Sequence, residues 1–289
     1  MNKPLFTGVC TALVTPFLDG KVNYPMAETL LRRQMEAGIQ AAVIAGTTGE
    51  GATLSEQEKM ELIRRCKAFA GNQCKIIAGT GSNSTVHAVQ LSCEAESLGA
   101  DALLVVSPYY NKANEDGLVA HYMAISHAVN IPVILYNVPT RTGVDIPVSV
   151  YKRLSSIPNI AGVKESSNDI TKITKIRSQC PDSFAVWSGN DDMTVPAISL
   201  GALGVISVAS NIIPAEIEAM VSAALAGDHR VAAQMQCKNQ ALIDLLFSDV
   251  NPIPVKEAMR IIGYDCGECR LPLTSMPQQK KAKLTAYFR

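Results

Sequence analysis

Residues 102–136, ALLVVSPYYNKANEDGLVAHYMAISHAVNIPVILY, contain the pattern that decides the fold. An apolar run at 102–106 is followed by a loop, by a helical pattern over 117–129 and by a second apolar run at 132–136. Both runs are apolar throughout rather than alternating, as expected of parallel strands that are covered on both faces. The stretch therefore predicts two parallel strands joined by a crossover helix.

The same strand–helix unit recurs along most of the chain. Eight strands are predicted, at residues 9–15, 42–45, 75–78, 102–106, 132–136, 160–164, 184–187 and 204–208. Helical patterns lie between them, at residues 24–37, 56–70, 86–98, 117–129, 147–155, 170–179 and 192–200. Eight such units favour a closed (β/α)8 TIM barrel over an open doubly wound sheet, which usually has fewer strands and a nucleotide-binding loop. No Walker A sequence occurs, and Gly79-Thr80-Gly81 lacks the third glycine of the dinucleotide motif.

More chain follows the eighth strand than one barrel helix requires. Helical patterns cover residues 214–226, 228–247, 254–262 and 277–288. The first completes the barrel, and the others predict a small helical extension. We therefore expect a catalytic α/β barrel domain at residues 1–226 and a C-terminal helical extension at residues 227–289.

The composition favours a small-molecule partner. Lys and Arg together number 26, as do Asp and Glu, and the formal net charge is zero. Without a run of like charges, neither nucleic acid nor a membrane surface is an expected partner. The N-terminal segment has no signal-peptide pattern, and no apolar stretch reaches the ~20 residues of a membrane helix, so we expect a cytoplasmic protein.

Neither a metal nor an organic cofactor is expected. The eight cysteines are scattered through apolar patterns and are expected to be reduced, and the Cys266/Cys269 CxxC motif lacks a second ligand pair. The four histidines share no metal-ligand spacing. Asp191 and Asp192 could form a carboxylate pair, but their position before a helical run favours a capping role.

Lys164 ends the sixth predicted strand, within the stretch IAGVKES at residues 160–166. Catalytic groups of such barrels lie at the carboxyl ends of the strands. Burial disfavours the charged ammonium and leaves a nucleophilic amine, which can attack a ketone and form an imine. The alternative is a lysine that extends from the strand end into solvent.

Two further strand ends supply groups suited to carboxylates and proton transfer. After the second strand, the glycines of GTTGEG at 46–51 allow backbone N–H groups to converge on an anion, and the threonine hydroxyls add donors. After the fifth strand, Tyr136 can exchange protons, and Arg141 offers a planar fork that matches a carboxylate. The alternatives are a tight turn, a packed tyrosine ring and a surface arginine.

A fourth loop, SPYYNK at 107–112, places two adjacent tyrosines after the fourth strand. Adjacent side chains point in different directions, so one could face the site and the other an interface. Loop tyrosines also serve simply as packing anchors.

These motifs together resemble the class I pyruvate aldolases, the superfamily that includes N-acetylneuraminate lyase. The matching stretches are GTTGE at 46–50, SPYYNK at 107–112, YNVP at 136–139 with RTG at 141–143, GVKE at 162–165 and GVIS at 204–207. Their order and spacing agree along nearly the whole chain. Within the superfamily, the match is closest to enzymes that condense pyruvate with L-aspartate 4-semialdehyde in lysine and diaminopimelate biosynthesis.

The resemblance implies a role for each site residue. Lys164 would carry pyruvate as a Schiff base, and Tyr136 would be the general acid and base. Thr47 would link Tyr136 to Tyr110 in a proton relay, with Tyr110 supplied by a neighbouring subunit of a homotetramer built as a dimer of tight dimers. The implied substrate-binding residues are Thr48 for the pyruvate carboxylate, Ile206 for the pyruvate pocket and Arg141 for the carboxylate of the second substrate.

The resemblance also raises the question of inhibition by L-lysine. Sensitive members bind lysine at the dimer interface, and the matching positions here are Gly51, Ala52, Glu56, Lys59, Asn83, His87 and Tyr109. Sensitive bacterial members have histidine in place of Lys59 and glutamate in place of His87. An added cation and a lost anion disfavour a cationic ligand, so we expect weak or absent inhibition.

Two other functions are considered. A lyase of the same superfamily would release pyruvate from a sugar acid such as N-acetylneuraminate or a 2-keto-3-deoxy acid, but Arg141 suits an amino-acid carboxylate better than sugar hydroxyls. A barrel that had become a binding or regulatory module would not need Lys164, Tyr136 and Thr47 together.

Overall fold

The computed structural model describes residues 4–289 and is built around a closed barrel of eight parallel strands. The strands are β1 (Gly8–Ala12), β2 (Ala41–Ile44), β3 (Lys75–Gly79), β4 (Ala102–Val106), β5 (Val133–Asn137), β6 (Ile160–Glu165), β7 (Ala185–Ser188) and β8 (Gly204–Ser207). Each strand pairs with its neighbours in sequence, and β8 closes on β1. The predicted (β/α)8 fold is confirmed.

Helices surround the barrel and continue beyond it. The barrel helices are α1 (Tyr24–Glu36), α2 (Glu56–Ala70), α3 (Thr85–Ser97), α4 (Glu115–Ala128), α5 (Val148–Leu154), α6 (Ile170–Gln179), α7 (Thr194–Ser199) and α8 (Pro214–Leu225). The C-terminal extension contains α9 (His229–Leu246), α10 (Ile253–Ile261) and α11 (Gln278–Tyr287). Ser55 and Glu58 form a capping box at the start of α2, where each side chain accepts a hydrogen bond from the other's backbone N–H.

Alternation along each strand divides the buried side chains into two clusters. Val43, Ile77, Leu104, Trp187 and Ile206 fill the inside of the barrel. Their neighbours along the strands point outward and pack against the helices in a larger core. Tyr136, near the end of β5, belongs to the inner cluster. Side chains at the equivalent alternating positions near the ends of the other strands therefore also point toward the barrel axis.

The structure adds short elements that the sequence pattern did not predict. β1 ends at Ala12 rather than at residue 15, and the chain then forms a hairpin from Phe17–Leu18 and Lys21–Val22. A single helical turn, Pro139–Thr142, follows β5. Two-residue strands and one-turn helices are too short to show a periodicity, so sequence alone does not reveal them.

The C-terminal extension is tied to the loop that follows β2. The buried Lys256 ammonium bonds to Glu50 Oε1 at 2.8 Å, and Arg270 N donates to Glu50 Oε2 at 2.8 Å. Leu242 and Leu284 of the extension belong to the outer core that the barrel helices share. The division of the chain after residue 226 stays a prediction. The first three residues of the chain lie outside the described residues. They belong to both the predicted barrel domain and the N-terminal segment in which no signal peptide is expected.

Across residues 4–289, the structure contains no helix with both the length and the hydropathy needed to cross a membrane.

Candidate active site

Lys164 and Tyr136 come together at the carboxyl end of the barrel. They occupy paired positions on β6 and β5, and both are buried, with 5% and 7% of their surfaces exposed. The Lys164 Nζ atom lies 4.3 Å from the centroid of the Tyr136 ring. The sequence analysis had placed a nucleophilic amine and a proton-transfer group at neighbouring strand ends, and the structure brings those two side chains into contact.

Two glycines make room for Lys164. A Cβ atom at Gly162 would lie 2.0 Å from the carbonyl oxygen of Ala185, so the close approach of β6 and β7 requires glycine there. A Cβ atom at Gly189, just after β7, would lie 2.8 Å from Lys164 Cε and 1.8 Å from Ser166 Oγ. The backbone at Gly189 therefore forms a surface against which the lysine side chain packs.

A buried polar network supports the same two strands from the other side. Asn137 Nδ2 donates to Glu165 Oε1 at 2.9 Å and to Asp145 Oδ1 at 2.8 Å, and the Tyr151 hydroxyl donates to Glu165 Oε2 at 3.2 Å. Burial raises the pKa of the Glu165 carboxyl, and the nearby Lys172 ammonium opposes that rise. Asn137 and Glu165 directly follow Tyr136 and Lys164, so the network fixes the strand ends that carry the two reactive groups.

The loop at residues 46–51 has the properties expected of a carboxylate site. The backbone N–H groups of Glu50 and Gly51 donate to the main-chain oxygens of Thr47 and Gly46. Those of Thr47 and Thr48 donate to no acceptor within residues 4–289. The Thr48 side chain is buried, and its Oγ1 accepts a hydrogen bond of 3.0 Å from Asn251 Nδ2.

A cavity of about 680 Å³ opens at this end of the barrel. Its wall includes Thr47, Tyr136 and Arg141, together with Asn251 of the C-terminal extension. The Arg141 side chain is exposed and donates from Nη2 to the main-chain oxygen of Asn251 at 3.1 Å. The cavity wall therefore combines a proton-transfer group, a threonine hydroxyl and a cationic fork.

The remaining predicted site residues lie outside this wall. Lys164 and Thr48 are buried next to wall residues, and Ile206 is fully buried in the inner cluster that also contains Tyr136. Tyr110 is 89% exposed and has a left-handed backbone conformation, with φ of +74°. Within a single chain, Tyr110 is thus not part of the site.

The cavity wall also includes six of the seven positions considered for lysine inhibition, all except Asn83. Lys59, Glu56, His87 and Tyr109 all contribute to the wall. His87 Nε2 and Glu56 Oε1 are 2.8 Å apart. Burial lowers the pKa of the Lys59 ammonium, and Glu56 opposes that shift. Lys59 has no carboxylate within 4.0 Å in the described chain.

The prediction that Asp191 caps the following helix is wrong. Its buried carboxylate instead accepts from the backbone N–H groups of Val208 at 2.9 Å and Ala209 at 3.2 Å, and from Ser207 Oγ. Burial raises the pKa of Asp191, and the hydrogen bonds and the Lys164 charge oppose the rise. Asp192 is exposed, so the two aspartates do not form a carboxylate pair. Asp191 thus fixes the end of β8 near Lys164.

Two residues that the sequence analysis did not select, Gly189 and Asn251, contribute to the site, and Asp191 contributes in a role that it did not predict. Gly189 packs on Lys164, Asp191 holds the end of β8, and Asn251 contacts both Thr48 and Arg141. No local motif marks them, because their partners are distant in sequence. Asn251 is separated from Thr48 by 203 residues.

All eight cysteines are free, as predicted, and burial raises the pKa of both Cys266 and Cys269 to about 12. Within residues 4–289, no group of three or more histidine, cysteine, aspartate or glutamate side chains is arranged to hold a metal ion.

A closed barrel with a buried lysine and tyrosine paired at its carboxyl end is the arrangement expected of a class I pyruvate aldolase. Comparison with known proteins then identifies the family. A profile of the dihydrodipicolinate synthetase family matches residues 5–289. The chain belongs to this family.

Individual relatives are similar over almost their whole length. The 4-hydroxy-tetrahydrodipicolinate synthase of Acetivibrio thermocellus is 45% identical over 279 residues, which cover 96% of this chain and 95% of that protein. The crystal structure of dihydrodipicolinate synthase from Aquifex aeolicus matches with a TM-score of 0.96 at 41% identity, covering 98% of this chain and 97% of that one. The structure of the enzyme from Cyanidioschyzon merolae with lysine bound matches with a TM-score of 0.95 at 41% identity, over 98% and 97% of the two chains.

Proposed function

We propose that this chain condenses pyruvate with L-aspartate 4-semialdehyde through a Schiff base on Lys164, giving 4-hydroxy-tetrahydrodipicolinate in lysine and diaminopimelate biosynthesis. The observation that carries the proposal is the buried Lys164 ammonium 4.3 Å from the Tyr136 ring centroid. Family membership and the names of the relatives support the same reaction.

The lysine amine attacks the keto carbon of pyruvate, and loss of water leaves a protonated imine. The imine withdraws electrons, so a proton leaves the pyruvate methyl group and an enamine forms. The enamine carbon then attacks the aldehyde of the second substrate. The amino group of that substrate closes the ring on the imine carbon and releases Lys164. The protein needs no cofactor for these steps, because the imine itself accepts the electrons.

Tyr136 moves the protons in this scheme. A tyrosine hydroxyl must give up its own proton before it can accept another, so it needs a hydrogen-bond chain to pass that proton onward. Thr47 lies with Tyr136 on the cavity wall and would form the next member of that chain. Tyr110 would complete it from a neighbouring subunit.

Carboxylates are bound at two places in this proposal. The unpaired N–H groups of Thr47 and Thr48, with the Thr48 hydroxyl, suit the pyruvate carboxylate, and Ile206 lines the pyruvate pocket. Arg141 holds the carboxylate of the semialdehyde by paired hydrogen bonds. This arrangement favours the synthase over a lyase that acts on sugar acids, which needs polar groups for hydroxyls in place of Arg141.

The proposed assembly is a homotetramer made of two tight dimers. The support for this assembly is the position of Tyr110, which is exposed and lies outside the cavity of its own chain. The proposed relay requires a second tyrosine besides Tyr136, and a neighbouring subunit would provide it. We place the enzyme in the cytoplasm, since eight free cysteines fit a reducing compartment.

Borohydride trapping tests the Schiff base. We expect reduction in the presence of pyruvate to attach one pyruvate to the peptide that contains Lys164, as measured by mass spectrometry. Lys164→Arg should prevent trapping and abolish turnover, since a guanidinium does not form the imine. Lys59→Arg is the matched control, because Lys59 is a buried lysine on the same cavity, and it should leave the adduct on Lys164 intact.

Absence of the adduct in the wild-type protein, or an adduct in Lys164→Arg, would contradict the proposal. A coupled assay with aspartate semialdehyde, run beside assays for pyruvate release from N-acetylneuraminate and 2-keto-3-deoxy acids, then separates the synthase from the lyases.

A further inference from the structure

Asn251 joins the C-terminal extension to the loop at residues 46–51. It lies between α9 and α10, is 7% exposed and forms part of the cavity wall. Its Nδ2 atom donates to Thr48 Oγ1 at 3.0 Å. Its Oδ1 atom has no hydrogen-bond partner within residues 4–289, so the contact with Thr48 is the side chain's one hydrogen bond in that range.

This contact decides the direction of the Thr48 hydroxyl. A threonine hydroxyl donates one proton and can accept two hydrogen bonds. Since Asn251 donates to the Thr48 oxygen, the hydroxyl proton must point away from Asn251. Within residues 4–289 no group accepts that proton. The hydroxyl therefore remains a free donor beside the unpaired N–H groups of Thr47 and Thr48.

We propose that Asn251 is a positioning residue for pyruvate, which it serves by turning the Thr48 hydroxyl into a dedicated donor for the pyruvate carboxylate. The inference rests on the proposed function, in which Thr48 binds that carboxylate. Asn251 does not touch pyruvate in this scheme and acts through Thr48 alone.

The two contacts of Asn251 can be separated by mutation. Arg141 bonds to its main-chain oxygen, which every side-chain variant retains. Thr48 bonds to its side chain. Substitution of the side chain should therefore weaken pyruvate binding while leaving the Arg141 contact with the backbone in place.

A double-mutant cycle between Asn251→Leu and Thr48→Val tests the proposal, with steady-state kinetics for both substrates. Leucine keeps the size of asparagine but has no donor. We expect Asn251→Leu to raise the KM for pyruvate about threefold to tenfold, the factor of one ordinary hydrogen bond, with a smaller change in kcat. The KM for aspartate semialdehyde should change less than about twofold, and Asn251→Leu should have no further effect in the Thr48→Val background.

Asn251→Asp provides a second readout that a purely structural role would not produce. A protonated aspartic acid can donate to Thr48, whereas a carboxylate can only accept. The KM for pyruvate in this variant, relative to wild type, should therefore fall as the pH is lowered.

Asn159→Leu is the matched control. Asn159 lies just before β6, at the opposite end of the barrel, and its Nδ2 donates to the main-chain oxygens of Ser126 and Val129. This variant should unfold at a lower temperature but keep the wild-type KM for pyruvate.

An unchanged pyruvate KM in Asn251→Leu, or independent and additive effects of the two substitutions, would overturn the inference. Failure of the proposed function would look different, since the wild-type protein itself would then give no borohydride-trapped pyruvate.

Discussion

Lys164 is held by the backbone on one side and by an aromatic ring on the other. Gly189 contacts its methylene chain, and the Tyr136 ring lies against its ammonium. No carboxylate of residues 4–289 lies within 4.0 Å of Lys164 Nζ. Within the described residues, no ion pair therefore competes with a substrate for the Lys164 amine.

We expect the chain's response to L-lysine to depend on the residues at positions 59 and 87. We expect L-lysine at sub-millimolar concentration to inhibit weakly or not at all in a steady-state assay. The buried Lys59 ammonium would repel the ligand's ammonium, and Glu56 is already bonded to His87. The double variant Lys59→His/His87→Glu should bind and respond to lysine more strongly than the wild-type protein.

Potent inhibition of the wild-type enzyme would refute this prediction. The double variant must retain wild-type KM values for both substrates for the comparison to be valid.

At the scale of elements, the ends of β5 and β6 act as one unit. Their register pairs Tyr136 with Lys164 and Asn137 with Glu165. Tyr136 and Lys164 form the reactive pair beside the cavity. Asn137 and Glu165 are buried in the polar network behind that pair. Alternation of side chains along a strand thus assigns adjacent residues to reaction and to support.

The contact between α3 and α4 predicts a loss of stability in acid. Burial lowers the pKa of His121 on α4 from 6.5 to about 4, and its Nδ1 lies 2.9 Å from Thr85 Oγ1 on α3. Since the folded-state pKa is the lower one, the unfolded chain binds more protons between these values, and stability falls as the pH falls through this window. This group alone should reduce the free energy of unfolding by about 3 kcal/mol between pH 7 and 4.

Urea denaturation of the wild-type protein and of His121→Gln at both pH values measures this contribution. The variant lacks the titrating ring, so it should lose less stability than the wild type on acidification. Parallel losses in the two proteins would show that His121 does not contribute.

At the scale of the whole molecule, the proposed proton relay would need two chains. Tyr110 is 89% exposed, while Thr47 and Tyr136 lie on the cavity wall. We predict that Tyr110→Phe and Lys164→Ala are each nearly inactive alone but regain activity when co-expressed. In a mixed dimer, the site that keeps Lys164 receives an intact Tyr110 from the other subunit.

Activity assays on the purified mixed dimer measure this complementation, with a limit of half the wild-type activity because one of two sites is restored. The negative control co-expresses the single variant Tyr110→Phe with the double variant Tyr110→Phe/Tyr136→Phe. Neither subunit of this mixture has Tyr110, so no mixed dimer can supply it. Equal activity in the two mixtures would place the functional tyrosine within its own chain.

Much of the fold and of the site was predictable from the sequence. Apolar runs followed by helical periodicity specify the order of strands and helices, because burial on both faces makes most positions of a parallel strand apolar. Catalytic groups of a barrel lie at or just after the carboxyl ends of its strands, so Lys164, Tyr136, Thr47 and Arg141 could be selected by position. Family comparison confirmed the predicted class of enzyme.

Tertiary structure alone decided which distant groups support these residues. The partner of Asp191 proved to be the end of β8 rather than its own helix, and Asn251 reaches Thr48 from the C-terminal extension. Such contacts depend on barrel closure and on the packing of the extension, which bring together residues far apart in the chain. A hydrogen bond between them leaves no periodic or local pattern in the sequence, so only the folded chain reveals it.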